Sequence, residues 1–182
     1  MIPDLRKNGA AAALLVCCMV GCSGMEPPPT VPMVADVLMP PAKYGAFLKL
    51  RAKGVQVYEC KVAEDSATRY EWVFREPLAE LFDKSDTKIG VHYAGPAWEH
   101  NDGSIVTGKT SGRIESVERT SIPWLLLVAT QASKTGTFAK VKFIQRLETV
   151  GGAAPRTGCS ANAAGKEAKI GYTANYYFYE AR

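Results

Sequence analysis

The chain has 182 residues, 47% of them hydrophobic and 22% charged, with a formal net charge of +4. That hydrophobic content excludes an intrinsically disordered chain and a protein of many membrane spans, and the length, at ~100–200 residues per domain, excludes a large multidomain enzyme. The charges stand singly instead of gathering into a basic patch, so no nucleic-acid partner is expected.

Arg6 and Lys7 precede an unbroken apolar run from Ala10 to Val20. The run is shorter than the ~20 residues a helix needs to cross a hydrocarbon core, and it fits the apolar region of a secretory signal. Met19-Val20-Gly21-Cys22 follows, and the small Gly21 before Cys22 resembles the lipobox of bacterial lipoproteins, where the cysteine becomes the lipidated first residue. The reading is a signal over residues 1–21, lipidation at Cys22, and a membrane partner reached through that anchor on the periplasmic side of the cell envelope. An ordinary signal cut near Gly24, releasing a secreted protein, is the alternative. Six of the 11 prolines lie between Pro27 and Pro41. Proline lacks the amide donor and fixes φ, so residues 22–35 read as an extended tether that holds a single domain, residues 36–182, off the membrane.

Lys43 to Lys53 is rich in helix formers and ends at Gly54, which predicts one short helix near the start of the domain. From Gly54 on, the pattern has period two. Tyr58, Cys60 and Val62 share one face of a strand, and Tyr70, Trp72 and Phe74 share a face of the next. Trp124 to Thr130 is continuously apolar and short, which favours a buried strand. Val141, Phe143 and Leu147 read as one side of a further strand, with Lys140, Lys142 and Arg146 on the other. The last run places Tyr172, Ala174, Tyr176 and Phe178 on one face and Thr173, Asn175, Tyr177 and Tyr179 on the opposite one. Turn residues at Asn101-Asp102-Gly103, Thr135-Gly136 and Gly151-Gly152 separate these runs. The fold class is all-β, mainly antiparallel, as a sandwich or barrel.

Cys60 and Cys159 are the cysteines left in an exported domain, and an oxidising compartment favours their pairing. A bridge closing so long a loop is worth about 4–5 kcal/mol in the chain-entropy model.

A series of motifs runs through the domain. It begins with Gly54-Val55-Gln56-Val57-Tyr58-Glu59-Cys60 and Glu71-Trp72-Val73-Phe74, and continues through the stretch from Gly90 to Glu99 and Ile122-Pro123-Trp124. It ends with Thr149-Val150-Gly151-Gly152, Gly158-Cys159 and the stretch from Tyr172 to Phe178. In this order the motifs resemble the domain-of-unknown-function family numbered 3455, found in exported bacterial and fungal proteins, over roughly residues 36–180. The resemblance implies export and a single domain, and no chemistry.

The densest polar cluster runs from His92 to Ser104 and holds both histidines of the chain. His92, Glu99, His100 and Asp102 have the donor types of a metal site, but adjacent Glu99 and His100 would face opposite sides of a strand, and no metal or other cofactor is expected. His92, Asp102 and Ser104 have the residue types of a hydrolytic triad without its local signature, so no catalytic residue is assigned. The favoured reading is structural: Gly95-Pro96 and Asp102-Gly103 turn the chain, His92 satisfies a buried partner, and Trp98 fills the core against Trp72. A ligand-binding rim over His92, Trp98, Glu99, His100 and Asp102 is the functional alternative. Tyr177 and Tyr179 offer a second candidate surface, suited to an envelope protein or a glycan, unless both faces of their strand are covered. Arg156, among glycines, reads as a solvated loop residue. The expected function is a ligand- or protein-binding module of the envelope. The alternatives are an enzyme acting on an envelope polymer through the cluster from His92 to Asp102, and a protective module. The last rests on Tyr58-Glu59-Cys60 and the lipobox, which resemble periplasmic lysozyme inhibitors of the lipoprotein class.

Overall fold

A computed structural model describes residues 27–182. The apolar run, Gly21 and Cys22 lie outside the described residues. Eight strands follow one another: β1 Tyr44–Val62, β2 Tyr70–Phe82, β3 Lys88–Tyr93, β4 Ala97–His100, β5 Ile105–Ile114, β6 Trp124–Ala132, β7 Phe143–Gly151 and β8 Glu167–Ala181. Each pairs antiparallel with the next, and β8 returns to β1, closing a barrel. Of the two architectures expected, the barrel is the one formed. Because the strands run up and down in sequence order, successive connections fall at alternate ends. One end carries residues 63–69, 94–96, 115–123 and 152–166, and the other carries 83–87, 101–104 and 133–142.

The stretch predicted as a helix, Lys43 to Lys53, is instead the first half of β1. Its residues favour helix, but Leu50 and Ala52 alternate with Lys49, Arg51 and Lys53, and the pairing with β8 on one side and β2 on the other overrides a weak propensity. Among the described residues the only helical turns are single 3-10 turns at Asp36–Leu38 and Ala161–Ala163. Gly54 caps no helix. A Cβ there would lie 2.1 Å from the Leu78 carbonyl oxygen, so the glycine permits the close approach of β2.

Two apolar layers result. The barrel interior is packed by Leu50, Leu81, Val106, Leu127, Ile144, Phe138 and Phe178 around Trp98 and Tyr176. Outside the wall lies a second cluster of Leu38, Leu126, Leu147, Tyr177 and Tyr179. Val31 and Val34 pack on it, so ordered packing begins before Asp36, within the stretch read as tether. Leu38 is fully buried, and its carbonyl accepts a hydrogen bond from Gln145 Nε2 at 2.7 Å. The chain at Val37 comes so close to β5 that a Cβ on Gly112 would meet the Val37 carbonyl oxygen at 1.9 Å.

This outer layer explains the one strand whose faces the sequence pattern reverses. The sequence puts Phe143 and Leu147 on one side and Lys140, Lys142 and Arg146 on the other, and in a barrel with a wet outer face the apolar side would be the inner one. In the structure Phe143, Gln145 and Leu147 turn outward under the N-terminal segment, while Ile144 and Arg146 point into the barrel. Val141 does pack in the interior, but from the connection before β7.

Candidate functional site

The interior is unevenly filled. Towards the end that carries residues 101–104 and 133–142, Phe138 stacks on Phe178 at 4.8 Å and meets the His100 ring at 5.9 Å. Towards the other end the barrel opens into a cavity of about 560 Å³, lined by residues of all eight strands. Eight-stranded barrels are wide enough to hold one small ligand, and cavities of roughly 300–1,000 Å³ are the usual size for such sites.

The rim is braced. Cys60 and Cys159 form a disulfide with their Cα atoms 5.4 Å apart, as their sequence context predicts, joining the end of β1 to the long connection before β8. Tyr58 donates its hydroxyl to the Gly152 carbonyl at 2.6 Å, and Trp72 Nε1 donates to the Thr157 carbonyl at 2.9 Å. Trp72 therefore pins this connection and is not the packing partner of Trp98. The Trp98 ring stacks on His92, with centroids 4.4 Å apart and planes 10° from parallel, and meets Tyr176 and Phe178 edge-on.

Arg146 stands inside this cavity. Its Nε and Nη2 donate to the Pro123 carbonyl at 3.1 and 2.9 Å, and among the described residues no carboxylate pairs with it. The two arginines at the mouth are different: Arg113 is paired with Glu115, and Arg75 with Glu167 and Glu59. The Arg146 charge is felt throughout the cavity. Burial raises the phenol pKa values of Tyr58, Tyr172 and Tyr176, and the guanidinium pulls each back. Burial lowers the His92 pKa to about 3, and Arg146 adds to that lowering. His92 is therefore neutral at physiological pH. Its Nδ1 sits 2.7 Å from the Ala97 carbonyl, which can only accept, so Nδ1 carries the proton and Nε2 is a bare acceptor.

Four buried polar atoms in this region have no hydrogen-bond partner: Gln56 Nε2, Trp98 Nε1, Tyr172 Oη and Tyr176 Oη. Gln56, Trp98 and Tyr176 line the cavity directly. A buried donor left unpaired costs about 1–3 kcal/mol, and native folds leave few of them. They lie together beside a guanidinium that pairs with no carboxylate among the described residues.

The candidates read from the sequence separate. His92 and Trp98 belong to the cavity wall. Glu99 lies on the opposite face of β4 from Trp98 and accepts a hydrogen bond from Tyr93 at 3.0 Å. Asp102 clamps the other end of the barrel. Its carboxylate accepts from the backbone and hydroxyl of Ser104 at 2.8 and 2.6 Å, and from those of Thr137 at 2.8 and 2.7 Å. These bonds, with that of the Ser104 hydroxyl the largest, hold its carboxyl below the usual carboxylate range. His100 Nδ1 accepts from the Asp102 amide at 3.1 Å, and Ser104 Oγ accepts from the Phe138 amide at 3.1 Å. Ser104 thus bonds Asp102 and not His92, which is no triad, and among the described residues no three metal-ligating side chains converge. Tyr177 and Tyr179 are not an exposed patch: both are buried beneath the N-terminal segment. Arg156 is exposed. Sequence reasoning missed Arg146, Gln56 and Tyr176 as cavity groups. Its place in β7, two residues after the inward Ile144, identifies Arg146 as a cavity group only once the barrel is closed.

A family model for proteins of unknown function, DUF3455, matches residues 41–180, and the chain belongs to that family. No curated protein and no solved structure matches the chain.

Proposed function

We propose that this member of the family is a binding module of the cell envelope that holds a small organic ligand inside its barrel. The observation that carries the reading is the cluster of buried, unpartnered polar atoms on Gln56, Trp98 and Tyr176, set on the wall of a cavity of about 560 Å³. An orphaned donor in a dry core is a cost, whereas on a binding wall it is paid back when a ligand arrives. Aromatic rings supply the apolar part of the wall and a few polar groups supply orientation, which is the usual composition of a small-molecule site. The division of the cluster from His92 to Asp102 between the two ends of the barrel supports the binding reading over an enzyme acting through that cluster.

The envelope setting is part of the same reading. It is supported by the charged start, the apolar run, Gly21-Cys22 and the disulfide, which belongs to an oxidising compartment. Palmitate labelling of wild type and Cys22→Ala is expected to mark only the former, and equal labelling of both would remove the anchor.

The ligand reading is tested with the neutral fluorescent dye N-phenyl-1-naphthylamine on the domain released from its signal. Bright, saturable binding is expected. Thr110→Trp places an indole across the cavity from β5 and should weaken that binding by at least about tenfold. Equal binding by the two proteins would move the dye, and the reading with it, out of the barrel.

A further inference from the structure

We propose that the cavity selects an aromatic monocarboxylic acid, with Arg146 receiving the carboxylate and the rings of Trp98, His92 and Tyr176 enclosing its body. The inference rests on the ligand reading above and names the ligand class for the same site.

The charge argument comes first. Three arginines line the cavity, and two already hold carboxylates of the protein: Arg113 holds Glu115, and Arg75 holds Glu167 and Glu59. Arg146 alone has none among the described residues, and it is the one set inside the barrel wall. A single uncompensated unit of positive charge on a partly buried side chain is balanced by a single negative charge. A dianion such as a phosphate monoester would leave one charge uncovered there.

Geometry then points to a carboxylate. The guanidinium spends Nε and Nη2 on one carbonyl, that of Pro123, which fixes its plane, and its other polar neighbour is the Tyr176 hydroxyl, not a carboxylate. A planar oxyanion matches a fixed, planar donor fork better than a tetrahedral or neutral group does. The orphaned atoms agree in sign. Gln56 Nε2 and Trp98 Nε1 can only donate, and the Tyr176 hydroxyl is free to. Such a set suits a ligand rich in acceptors. The exception is His92 Nε2, a bare acceptor, which would take a hydroxyl or amine proton from the ligand body.

The walls select the body. Trp98 and His92 present stacked rings, Tyr176 stands edge-on to both, and Tyr58 and Phe74 meet edge-on at the mouth with centroids 5.7 Å apart. Rings prefer stacked or edge-on neighbours, so a flat aromatic body gains more here than a flexible alkyl chain.

The test compares matched probes on the wild-type domain by calorimetry at about pH 7, where a carboxylic acid is ionised. 2-Naphthoate and 2-naphthamide share shape and differ in charge. The acid is expected to bind at least about tenfold more tightly, and to keep most of that preference when salt is raised, because a buried pair is screened little. In Arg146→Gln the acid and the amide should become nearly equal. Arg146→Lys, a point charge without the fork, should keep part of the difference. Equal affinity for acid and amide in the wild type, with N-phenyl-1-naphthylamine still bound, overturns the acid and leaves the cavity reading standing. Tighter binding of 2-naphthyl phosphate than of 2-naphthoate overturns the monoanion. Failure of the dye and all naphthyl probes to bind overturns both readings.

Discussion

Strand β8 carries four tyrosines, two on each face, and their hydroxyls end in opposite conditions. On the outer face Tyr177 donates to Glu148 at 3.1 Å and Tyr179 to Gln145 at 2.7 Å, and Gln145 in turn donates to Leu38 at 2.7 Å. On the inner face neither the Tyr172 nor the Tyr176 hydroxyl makes a well-formed hydrogen bond, although Gln56, Arg146 and the two hydroxyls themselves stand close to one another. All four rings are buried, so burial alone does not separate them. The difference is that the outer hydroxyls meet polar side chains supplied by β7, while the inner ones stand in a region where the neighbouring polar groups are left open as well. A fold that satisfies one face of a strand and not the other is not simply loosely packed, and the deficit is confined to the cavity side.

Three changes would break or sharpen this contrast. The largest effect belongs to the outer layer. Leu38→Ala empties a fully buried site over that face and is expected to cost about 3 kcal/mol, read from urea midpoints. A loss below about 1 kcal/mol would mean that the N-terminal segment contributes little to the outer layer.

Next comes the charge state of the inner face. With a folded pKa of about 3 and an ordinary value near 6.5, His92 takes up its proton in the unfolded chain first. Its contribution is therefore complete above about pH 6.5 and is lost as pH falls towards about 3, by up to about 1.4 kcal/mol per pH unit. Stability measured between about pH 6 and pH 4 should show that slope in wild type and a shallower one in His92→Gln. Asp102, whose carboxyl is held low, adds its own loss only below its ordinary value near 3.9. Parallel slopes in the two proteins would place the histidine in contact with water.

The smallest effect is the most direct comparison. Tyr179→Phe deletes a bonded hydroxyl and strands Gln145 Oε1, so it should cost about 1 kcal/mol or somewhat more. Tyr176→Phe deletes an unbonded one and should change stability by no more than about 0.5 kcal/mol, in either direction. Equal losses would erase the distinction between the faces.

Much of this was legible in the sequence, and the failures have two causes. The alternation from Tyr172 to Tyr179 divides the rings between the two faces correctly, and Asn101-Asp102-Gly103 is a hairpin connection as read. The pairing of Cys60 with Cys159 followed from compartment and count alone. Lys43 to Lys53 misled because composition was weighed above the period-two pattern of Leu50 and Ala52. Phe143 to Leu147 misled for a subtler reason. Alternation assigns the inner face only when one face meets water, and here residues 31–38 cover the outside, so both faces carry apolar residues. Arg146 was grouped with Lys140 and Lys142 as the charged side of the strand. Nothing local marks it as the exception; only closure of the barrel and coverage of its outer wall do so. Tyr177 and Tyr179 were undecided for the same reason, and the covering segment settles them.

Closure has a further consequence, for assembly. Seven of the eight strand pairings join neighbours in sequence, while the seam between β1 and β8 joins the two ends of the domain, from Tyr44 with Ala181 to Glu59 with Glu167. A chain made from its N-terminus must carry β1 with one edge open until β8 arrives. Open edges are where strands of different molecules pair. The fifteen residues of β8 are thus the lock of the structure: a chain that lacks them keeps most of the barrel but gains two sticky margins.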